Sequence, residues 1–451
     1  MAVKPLLRST VLGVLVLSVQ VTACLDVGRA VSLFCDDNVD ICEEGGADPA
    51  PDGNAILDGG VDEGRPDGGD GGPTDGGDGK PDGGDGGMDG GDGGPPDGGG
   101  PELPGWKPVA PMQTRRSSHT ATELENGRVL VVGGSTTGTA SAGSQTNTTE
   151  LYTVSSNTWS PGPSLGTARM DHTATRLKDG RVLVVGGRGP SGGALSSAEI
   201  YDPVANQWKA ASPIPVGARS GHAAVLLSSG KVLVAGGGYS DDDGLNTSAL
   251  YDPINDTWTN AGNLNAKRNG LTLTLQGIDW VLAIGGYNAS GAEPTAELYT
   301  DSHPEGGWQL IAEQMVHGRA GHASTLLPSG KVLVTGSLEG SPGTVLRAVD
   351  LFDLGTASWT PQALMKEARF IHTATDLPSD ELLVTGGYST PYAKPRASAE
   401  ILRRNGVWEL IAPMTSTRAF HTATKLKSGS VLIIGGTDGG AALNTADRYV
   451  P

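Results

Sequence analysis

Side chains able to do ionic or acid–base chemistry recur as a set through most of this chain. A histidine stands three residues after an arginine, and a carboxylate follows about 30 residues later. The arginines are Arg116, Arg169, Arg219, Arg268, Arg319, Arg369 and Arg418. The histidines are His119, His172, His222, His322, His372 and His421, with Leu271 in the fourth position. The carboxylates are Glu150, Glu199, Glu297, Asp350, Glu400 and Asp447, with Ala249 in the third position.

Two functions suit this set, a metal site built from the histidines and an anion site built from the arginines. A metal needs several ligands within about 2 Å of one ion, whereas equivalent residues of successive repeats belong to separate structural units. A scaffold role is the simpler interpretation, with each histidine bonded inside its own repeat and each arginine paired with the carboxylate of its repeat. Ala249 leaves Arg219 without that partner, so a ligand carboxylate would substitute most easily there.

The arginines are spaced 49 to 53 residues apart, which indicates an array of repeated supersecondary units. Each repeat holds four strand-like pieces. The first two flank a tight turn such as Asp179-Gly180, a strong hairpin signal. The second is a continuous apolar run such as 182–185, which suits a strand buried on both faces. A Glu-x-Tyr segment and a tryptophan strand complete the unit, as in 199–201 and Trp208.

This phrase, with its paired glycines, tyrosine and tryptophan, resembles the kelch repeat over residues 105–451. The resemblance implies an all-β fold, a seven-bladed kelch-type β-propeller. The last repeat ends without a tryptophan strand, and residues 106–112 match 408–414. We therefore expect the seventh blade to be closed by the N-terminal strand together with the three C-terminal strands, which removes an open sheet edge.

The paired glycines and an acidic loop have alternative interpretations. Gly186-Gly187 and its counterparts are followed by no helix and no Lys-Ser/Thr, so they are not a phosphate loop. We expect them to give the tryptophan room to pack on the backbone. The loop at 241–244 (Asp-Asp-Asp-Gly) is either a calcium ligand set or a solvated loop, and it lacks the bidentate Glu of an EF-hand.

The N-terminus carries export signals. Lys4 and Arg8 precede a short apolar run at 11–19, as in a secretory signal peptide. The ending Val-Thr-Ala-Cys resembles the lipobox of bacterial lipoproteins, which implies an acylated Cys24. The alternative is an ordinary signal peptide with an incidental cysteine. Cys35 and Cys42 can close a disulfide loop in an oxidising envelope or stay reduced.

An acidic Gly/Asp/Pro-rich stretch separates these signals from the repeats. Residues 36–104 hold 20 acidic and 2 basic side chains, a net of −18, and residues 105–451 carry only −2. We expect a disordered tether with little apolar surface to bury. The alternative, a calcium-binding repeat, would need an apolar residue in each unit. The predicted organisation is a signal peptide (1–23), an acylated N-terminus (24–44), an acidic tether (45–104) and the propeller (105–451).

The loops between second and third strands vary most, and binding residues concentrate on loops held by a rigid scaffold. We expect a binding face there, made of exposed aromatic and cationic residues and without a metal. The candidates are Arg188, Tyr239, Tyr287, Tyr388, Tyr392, Lys394 and Arg396.

We expect a lipid-anchored, non-catalytic binding module in the bacterial cell envelope, on the outer membrane. Its expected partners are an envelope protein or glycan and, through the anchor, the membrane. We expect no nucleic acid, no cofactor and a monomer. The rival hypotheses are a purely structural role and a carbohydrate-active enzyme resembling the kelch-type propellers of galactose oxidase or sialic-acid epimerase. The oxidase resemblance implies a copper site with a crosslinked cysteine, and no cysteine follows Cys42.

Overall fold

The computed structural model describes the repeat part of the chain with short gaps, over residues 103–138, 141–239, 244–278, 280–300, 307–340, 343–391 and 394–451. The predicted signal peptide, Cys24, Cys35, Cys42, the predicted acidic tether and the Asp241–Asp243 run lie outside these residues, so the interpretations placed on them stay predictions. All regular structure in the described residues is β-strand. None of them forms a helix with the length and apolarity needed to cross a membrane.

The strands form seven four-stranded antiparallel blades. Blade 1 holds β2 (Thr120–Glu123), β3 (Arg128–Val132), β4 (Thr149–Thr153) and β5 (Thr158–Pro161). Blade 2 holds β6 (Thr173–Arg176), β7 (Val182–Val185), β8 (Ala198–Asp202) and β9 (Gln207–Ala211). Blade 3 holds β10 (Ala223–Leu226), β11 (Val232–Ala235), β12 (Thr247–Asp252) and β13 (Thr257–Asn263).

The next three blades follow the same order. Blade 4 holds β14 (Thr272–Gln276), β15 (Trp280–Ile284), β18 (Ala296–Thr300) and β19 (Gly307–Leu310), and a separate ribbon of β16 (Tyr287–Asn288) and β17 (Gly291–Ala292). Blade 5 holds β20 (Ala323–Leu326), β21 (Val332–Glu339), β22 (Thr344–Asp353) and β23 (Ser358–Pro361). Blade 6 holds β24 (Thr373–Asp376), β25 (Leu382–Thr385), β26 (Ala399–Leu402) and β27 (Trp408–Ile411).

The seventh blade combines the two ends of the propeller, as predicted. Its strands are β28 (Thr422–Lys425), β29 (Val431–Ile434), β30 (Ala446–Val450) and β1 (Gly105–Val109). β1 pairs antiparallel with β30 from Gly105↔Val450 to Val109↔Ala446. The innermost strands of successive blades contact one another, and β28 contacts β2, so the ring is closed. The all-β, seven-bladed prediction is confirmed.

The core lies between the blades. The second strand of each blade is largely buried, and β7 and β11 are buried along their whole length. One apolar cluster shows the arrangement, since it joins Leu183 and Val185 of blade 2 to Val232 and Val234 of blade 3. Burying such a side chain stabilises the fold by about 1.5–3 kcal/mol, so each blade depends on its neighbours for stability.

The paired glycines serve the contact between blades, and the prediction that they make room for tryptophan is wrong. A Cβ on Gly186 would lie 2.6 Å from the Arg219 carbonyl oxygen and 2.8 Å from the His222 ring, both in the next blade. The N–H of Gly187 donates to that same carbonyl at 2.9 Å. Both glycines adopt positive φ, so a side chain here would meet both strain and steric overlap.

The tryptophans also tie blades together. The Trp208 indole N–H donates to the carbonyl of Pro163 in the preceding blade at 2.9 Å, while its ring packs on Tyr201 at 5.2 Å. Trp106 on β1 repeats this arrangement, donating to Ala412 and packing on Tyr449. The paired glycines and the tryptophan that recur in the sequence therefore serve mainly to join neighbouring blades.

Candidate functional site

The recurring arginines are internal struts, each inside its own blade. Arg169 is fully buried, and its guanidinium donates to the carbonyl of Gly186 at 2.7 Å and to Glu199 at 2.8 Å. Glu199 also accepts the backbone N–H of Gly166 at 2.7 Å, which fixes the loop leading into the blade. Burial lowers the pKa of Arg169, and Glu199 opposes that shift.

The predicted arginine–carboxylate pairing is confirmed in every blade except the third. The pairs are Arg116–Glu150, Arg169–Glu199, Arg268–Glu297, Arg319–Asp350, Arg369–Glu400 and Arg418–Asp447.

In blade 3, which lacks the carboxylate, backbone carbonyls and a threonine hydroxyl accept the hydrogen bonds of the arginine. Arg219 donates to the carbonyls of Val216 at 2.8 Å and Gly236 at 2.9 Å, and to the hydroxyl of Thr247 at 2.9 Å. Burial lowers its pKa to about 10. Because the side chain is completely enclosed, it has no surface to offer a ligand carboxylate, and the suggested anion site at this position is not formed.

The repeat histidines link neighbouring blades, which corrects the prediction that each bonds within its own blade. Nε2 of His172 lies 2.9 Å from the Thr120 hydroxyl of the preceding blade, and His119 makes the bond to Thr422 that spans the ring closure. Burial lowers the pKa of each ring, to about 3 for His222, His322 and His372. These histidines are neutral structural groups.

Two joints depart from this pattern, and both are chemically consistent. Where Leu271 replaces histidine, the facing residue of blade 3 is Ala223, and both belong to one apolar cluster. Where Ala323 lacks a hydroxyl, Thr335 directly across the strand pair supplies it to His372 at 2.9 Å. No joint of this ring therefore leaves an imidazole Nε2 without its hydroxyl partner.

The loops joining second to third strands and those entering each blade share one face, which we call the loop face. Its centre is ringed by the residues two positions after each arginine, all with positive φ: Ser118, Asp171, Gly221, Gly270, Gly321, Ile371 and Phe420. Backbone hydrogen bonds join five of the seven successive pairs, such as Asp171 N–H to Ser118 O at 3.1 Å and Ile371 N–H to Gly321 O at 2.7 Å. Positive φ is a strained backbone conformation for a β-branched residue such as Ile371, and the neighbouring residues of the ring must stabilise it.

The structure places the predicted binding residues on this face but in separate sectors. Arg188, Tyr287 and Tyr388 hold the same position in blades 2, 4 and 6, directly after the paired glycines, and the first two are half-buried. Tyr239 is 52% exposed and its hydroxyl lies over Gly217. Tyr392 lies outside the described residues.

The sixth-blade loop is more enclosed than predicted. Tyr388 was expected to be exposed but is buried, with ring contacts to Phe370 at 5.5 Å and Phe420 at 6.2 Å. Its burial raises its pKa to about 12. Arg396 donates to Glu367 at 2.9 Å, and Glu367 also accepts from the buried Arg369. Lys394 is exposed.

Sequence reasoning missed a histidine–carboxylate pair on the loop face. His317 Nδ1 lies 2.9 Å from Glu339, and the other Glu339 oxygen accepts the Gly318 N–H at 3.1 Å. Both side chains are about one-third exposed, at 38% and 34%. His317 stands two residues before Arg319, outside the repeating histidine position. That departure from the repeat was the available signal.

Blade 5 is built differently around this pair. β21 continues to Glu339, past the point where β7 or β25 ends, and pairs with β22 out to Glu339↔Thr344. Ser337 replaces the second glycine there, and its hydroxyl accepts the Ala320 N–H at 3.0 Å. On the other side, Gly318 packs directly against Ala292 of the β16–β17 ribbon. The extended strand β21 and the β16–β17 ribbon therefore flank the segment that carries His317, whose side chain stays partly exposed.

The opposite face carries the turns and is chemically plainer. Two open depressions lie there at the joint between blades 7 and 1, lined by residues that include Glu123, Lys427 and Ser428. The backbone N–H of Lys427 donates to Glu123 at 2.9 Å, so these groups already serve ring closure. The loop face is therefore the candidate functional site.

The fold and this site define the class of the protein as a seven-bladed kelch-type β-propeller. The chain belongs to the family of the KLHDC2/KLHL20/DRC7 Kelch-repeats domain, whose model matches residues 106–286 and 171–387.

Comparisons with individual proteins find oxidases. Two curated relatives, both named galactose oxidase and both from Gibberella zeae, are 32% identical over 83 residues. That segment is 18% of this chain and 11% of each relative, so the chain spans about a tenth of their length. A solved structure described as a novel fungal alcohol oxidase of the AA5 family, in complex with copper, superposes with a TM-score of 0.64. It covers 78% of this chain and 77% of that chain at 19% identity, a likeness of fold.

These relatives contradict the expectation that the chain is not an enzyme. The matched relatives are galactose oxidases by name and favour the enzyme hypothesis over a non-catalytic module, whereas the alcohol oxidase structure shows a likeness of fold alone.

Proposed function

We propose that this chain is a lipid-anchored, carbohydrate-active enzyme of the kelch-propeller type, oxidase- or epimerase-like, with its substrate on the loop face. The relationship to galactose oxidase supports the substrate class. The observation that carries the proposal is the partly exposed His317–Glu339 pair, because a positioned imidazole is the commonest proton-transfer group in enzymes.

The loop face suits a polyhydroxylated substrate. Partly exposed charged side chains such as Arg396 and Glu367, which pair with each other, can add charge-assisted hydrogen bonds to a substrate. Tyr239 adds an exposed aromatic ring, a surface on which the apolar face of a sugar ring can stack. The strained ring around Ile371 and Phe420 holds these loops on a rigid base.

The copper named for the structural neighbour does not fit the residues described here. Among them, no group of three or more His, Cys, Asp or Glu side chains is placed to hold a metal ion. The six repeat histidines are buried, with Nε2 committed to threonine hydroxyls. Because copper in proteins relies on such nitrogen and sulfur ligands, the described residues supply no fitting copper site.

The activity is tested with the purified full chain on a panel of monosaccharides and oligosaccharides, after chelator treatment and again after copper addition. Oxygen uptake and peroxide release detect oxidation, and proton NMR of the sugar detects epimerisation. We expect conversion of at least one galactose-related sugar. A panel returned chemically unchanged under both conditions would overturn the proposal.

Anchoring through Cys24 is the second part of the proposal, supported by the lipobox-like Val-Thr-Ala-Cys sequence. Several acyl chains on one residue hold a protein firmly, because each buried CH₂ adds about 0.8 kcal/mol. A Cys24→Ser variant should leave the membrane fraction for the soluble fraction of the envelope. Unchanged membrane association of that variant would contradict anchoring at this residue.

A further inference from the structure

We infer that His317 and Glu339 form a metal-free proton-transfer site, in which Nε2 of His317 takes a proton from a carbohydrate and returns it. This inference rests on the proposed function and goes beyond it, by naming the reacting group and by favouring the epimerase-like reaction over the oxidase-like one.

The hydrogen bond between His317 and Glu339 defines which imidazole nitrogen is reactive. A carboxylate only accepts hydrogen bonds, so the 2.9 Å contact places the proton of His317 on Nδ1. The Nε2 lone pair is then directed away from the bond and is available as a base. In the described part of the chain, Nδ1 makes the single hydrogen bond of this side chain.

Glu339 is held in place from two directions. One oxygen receives Nδ1–H of His317 and the other receives the N–H of Gly318, 3.1 Å away. The carboxylate itself stands at the end of the extended strand β21, opposite Thr344. A carboxylate behind a histidine fixes the orientation and the tautomer of the ring. Glu339 is therefore a positioning residue.

The repeat histidines have the reverse arrangement. In His172, Nε2 faces the Thr120 hydroxyl at 2.9 Å, and the buried Nδ1 has no partner among the described residues. That ring is enclosed, whereas the His317 side chain is 38% exposed on the loop face. The chain therefore separates its structural histidines from one that a substrate can reach.

The reaction balances without an oxidant. In an open-chain sugar, the C–H bond beside the carbonyl breaks, the proton moves to Nε2, and the electron pair moves to the carbonyl oxygen to form an enediol anion. Nε2 faces one side of that carbon, so the enediol anion turns over in the site before the proton returns from Nε2 and re-forms the C–H bond with inverted configuration. No electron is lost at any stage.

The first experiment locates sugar binding without using turnover. The full chain is treated with diethylpyrocarbonate, with and without each sugar of the panel, and modified histidines are identified by peptide mass spectrometry. We expect His317 to react, the buried His172 and His222 to stay unmodified as internal controls, and a bound sugar to slow reaction at His317 several-fold.

The second experiment follows deuterium from D₂O into carbon-bound positions of the sugar. We expect His317→Gln to lower the rate at least about 100-fold, the range of general acid–base catalysis. We expect Glu339→Gln to lower kcat with little change in KM, and an unchanged melting temperature of this variant would distinguish that result from a loss of folded protein. Glu125→Gln, an exposed residue of the turn face, is the matched control and should exchange at the wild-type rate.

The outcomes separate this inference from the proposed function. Sugars that react equally with wild-type protein and His317→Gln, or that bind without protecting His317, overturn the inference and leave the enzyme proposal standing. Sugars that neither bind nor react overturn both. If His317→Gln melts early, protection of His317 in the wild-type protein decides the question.

Discussion

At the scale of single residues, the seven blade joints reveal a pairing rule. A buried imidazole in one blade meets a threonine hydroxyl in the preceding one, as His222 meets Thr173 at 2.9 Å. At the fourth blade both partners are replaced together, by Leu271 and Ala223. A buried polar group is costly only when its partner is missing, so exchanging both for apolar residues is nearly neutral.

This rule predicts strong coupling between Thr173 and His222. Thr173→Ala alone strands a buried Nε2 and should lower the free energy of unfolding by about 1–3 kcal/mol. The double variant Thr173→Ala, His222→Leu recreates the natural Ala223–Leu271 joint and should recover about 1 kcal/mol or more relative to the sum of the single changes. Urea denaturation of the four proteins measures the coupling, and additive losses would contradict the rule.

The same histidines predict acid sensitivity. Their pKa values in the folded state are lowered, to about 3 for His222, His322 and His372, against about 6.5 in the unfolded chain. The unfolded state therefore binds protons first as the pH falls, and stability present above pH 6.5 is lost between there and about pH 3.

Each buried histidine should contribute a loss of about 1.4 kcal/mol per pH unit in that window. Denaturation at a series of pH values from 7 to 4 tests this, with His222→Leu as the matched variant. Its stability should fall less steeply, by the equivalent of one proton. An unchanged slope would show that His222 titrates normally in the folded protein.

At the scale of strands and loops, the sequence predicted the regular blade strands better than the contacts between blades and the extension of β21. Turns such as Asp179-Gly180 and apolar runs such as 182–185 are local signals, so the blade strands were predictable. The partner of His172 was not, because whether it bonds inside its blade or across to Thr120 depends on blade packing. The extension of β21 to Glu339 was missed because that segment carries no alternating pattern.

The candidate site follows the same division. The sequence pointed to the loop face and to residues such as Arg396, but it expected Tyr388 to be exposed. Tyr388 is covered by Phe370 and Phe420, which enter from the loops of two successive blades. Spacing within one repeat holds no information about such contacts. His317 and Glu339 lie 22 residues apart and meet only because β21 is lengthened.

The buried Arg169–Glu199 pair, which joins a loop to a strand, predicts how much stability a single substitution removes. Glu199→Ala would leave the fully buried Arg169 without its carboxylate and free the loop N–H at Gly166. We expect a loss of about 3–5 kcal/mol in the free energy of unfolding, as for other broken buried pairs. Glu409→Ala breaks the exposed pair with Arg403 and should cost less than about 1 kcal/mol. Similar losses in both variants would mean that the buried strut contributes little.

At the scale of the whole molecule, the ring depends on one joint between distant parts of the chain. β1 completes the seventh blade, and Trp106 carries both the ring contact to Tyr449 and the bond to Ala412 that other blades make with their own tryptophan. Stability is therefore shared around the ring, because every apolar cluster between blades needs both of its sides.

Deleting residues 105–109 from the full chain should open the ring. It exposes an unpaired edge at β30, so we expect a large fall in melting temperature and concentration-dependent aggregation. A five-residue deletion at 81–85, in the acidic segment, is the control of equal length and should melt like the intact protein. Melting followed by light scattering checks both, and a stable monomer lacking β1 would show that closure by this strand is dispensable.

The pairing of Gly105 with Val450 also has a consequence for biogenesis. Synthesis proceeds from the N-terminus, so β1 is made before every other strand of the propeller and its partner β30 is made last. β1 therefore stays unpaired while six blades are synthesised, and a prematurely terminated chain lacks the strand β30 with which β1 pairs. Ring closure therefore distinguishes complete from truncated chains, because a truncated product keeps an unpaired strand edge that chaperones and proteases can recognise.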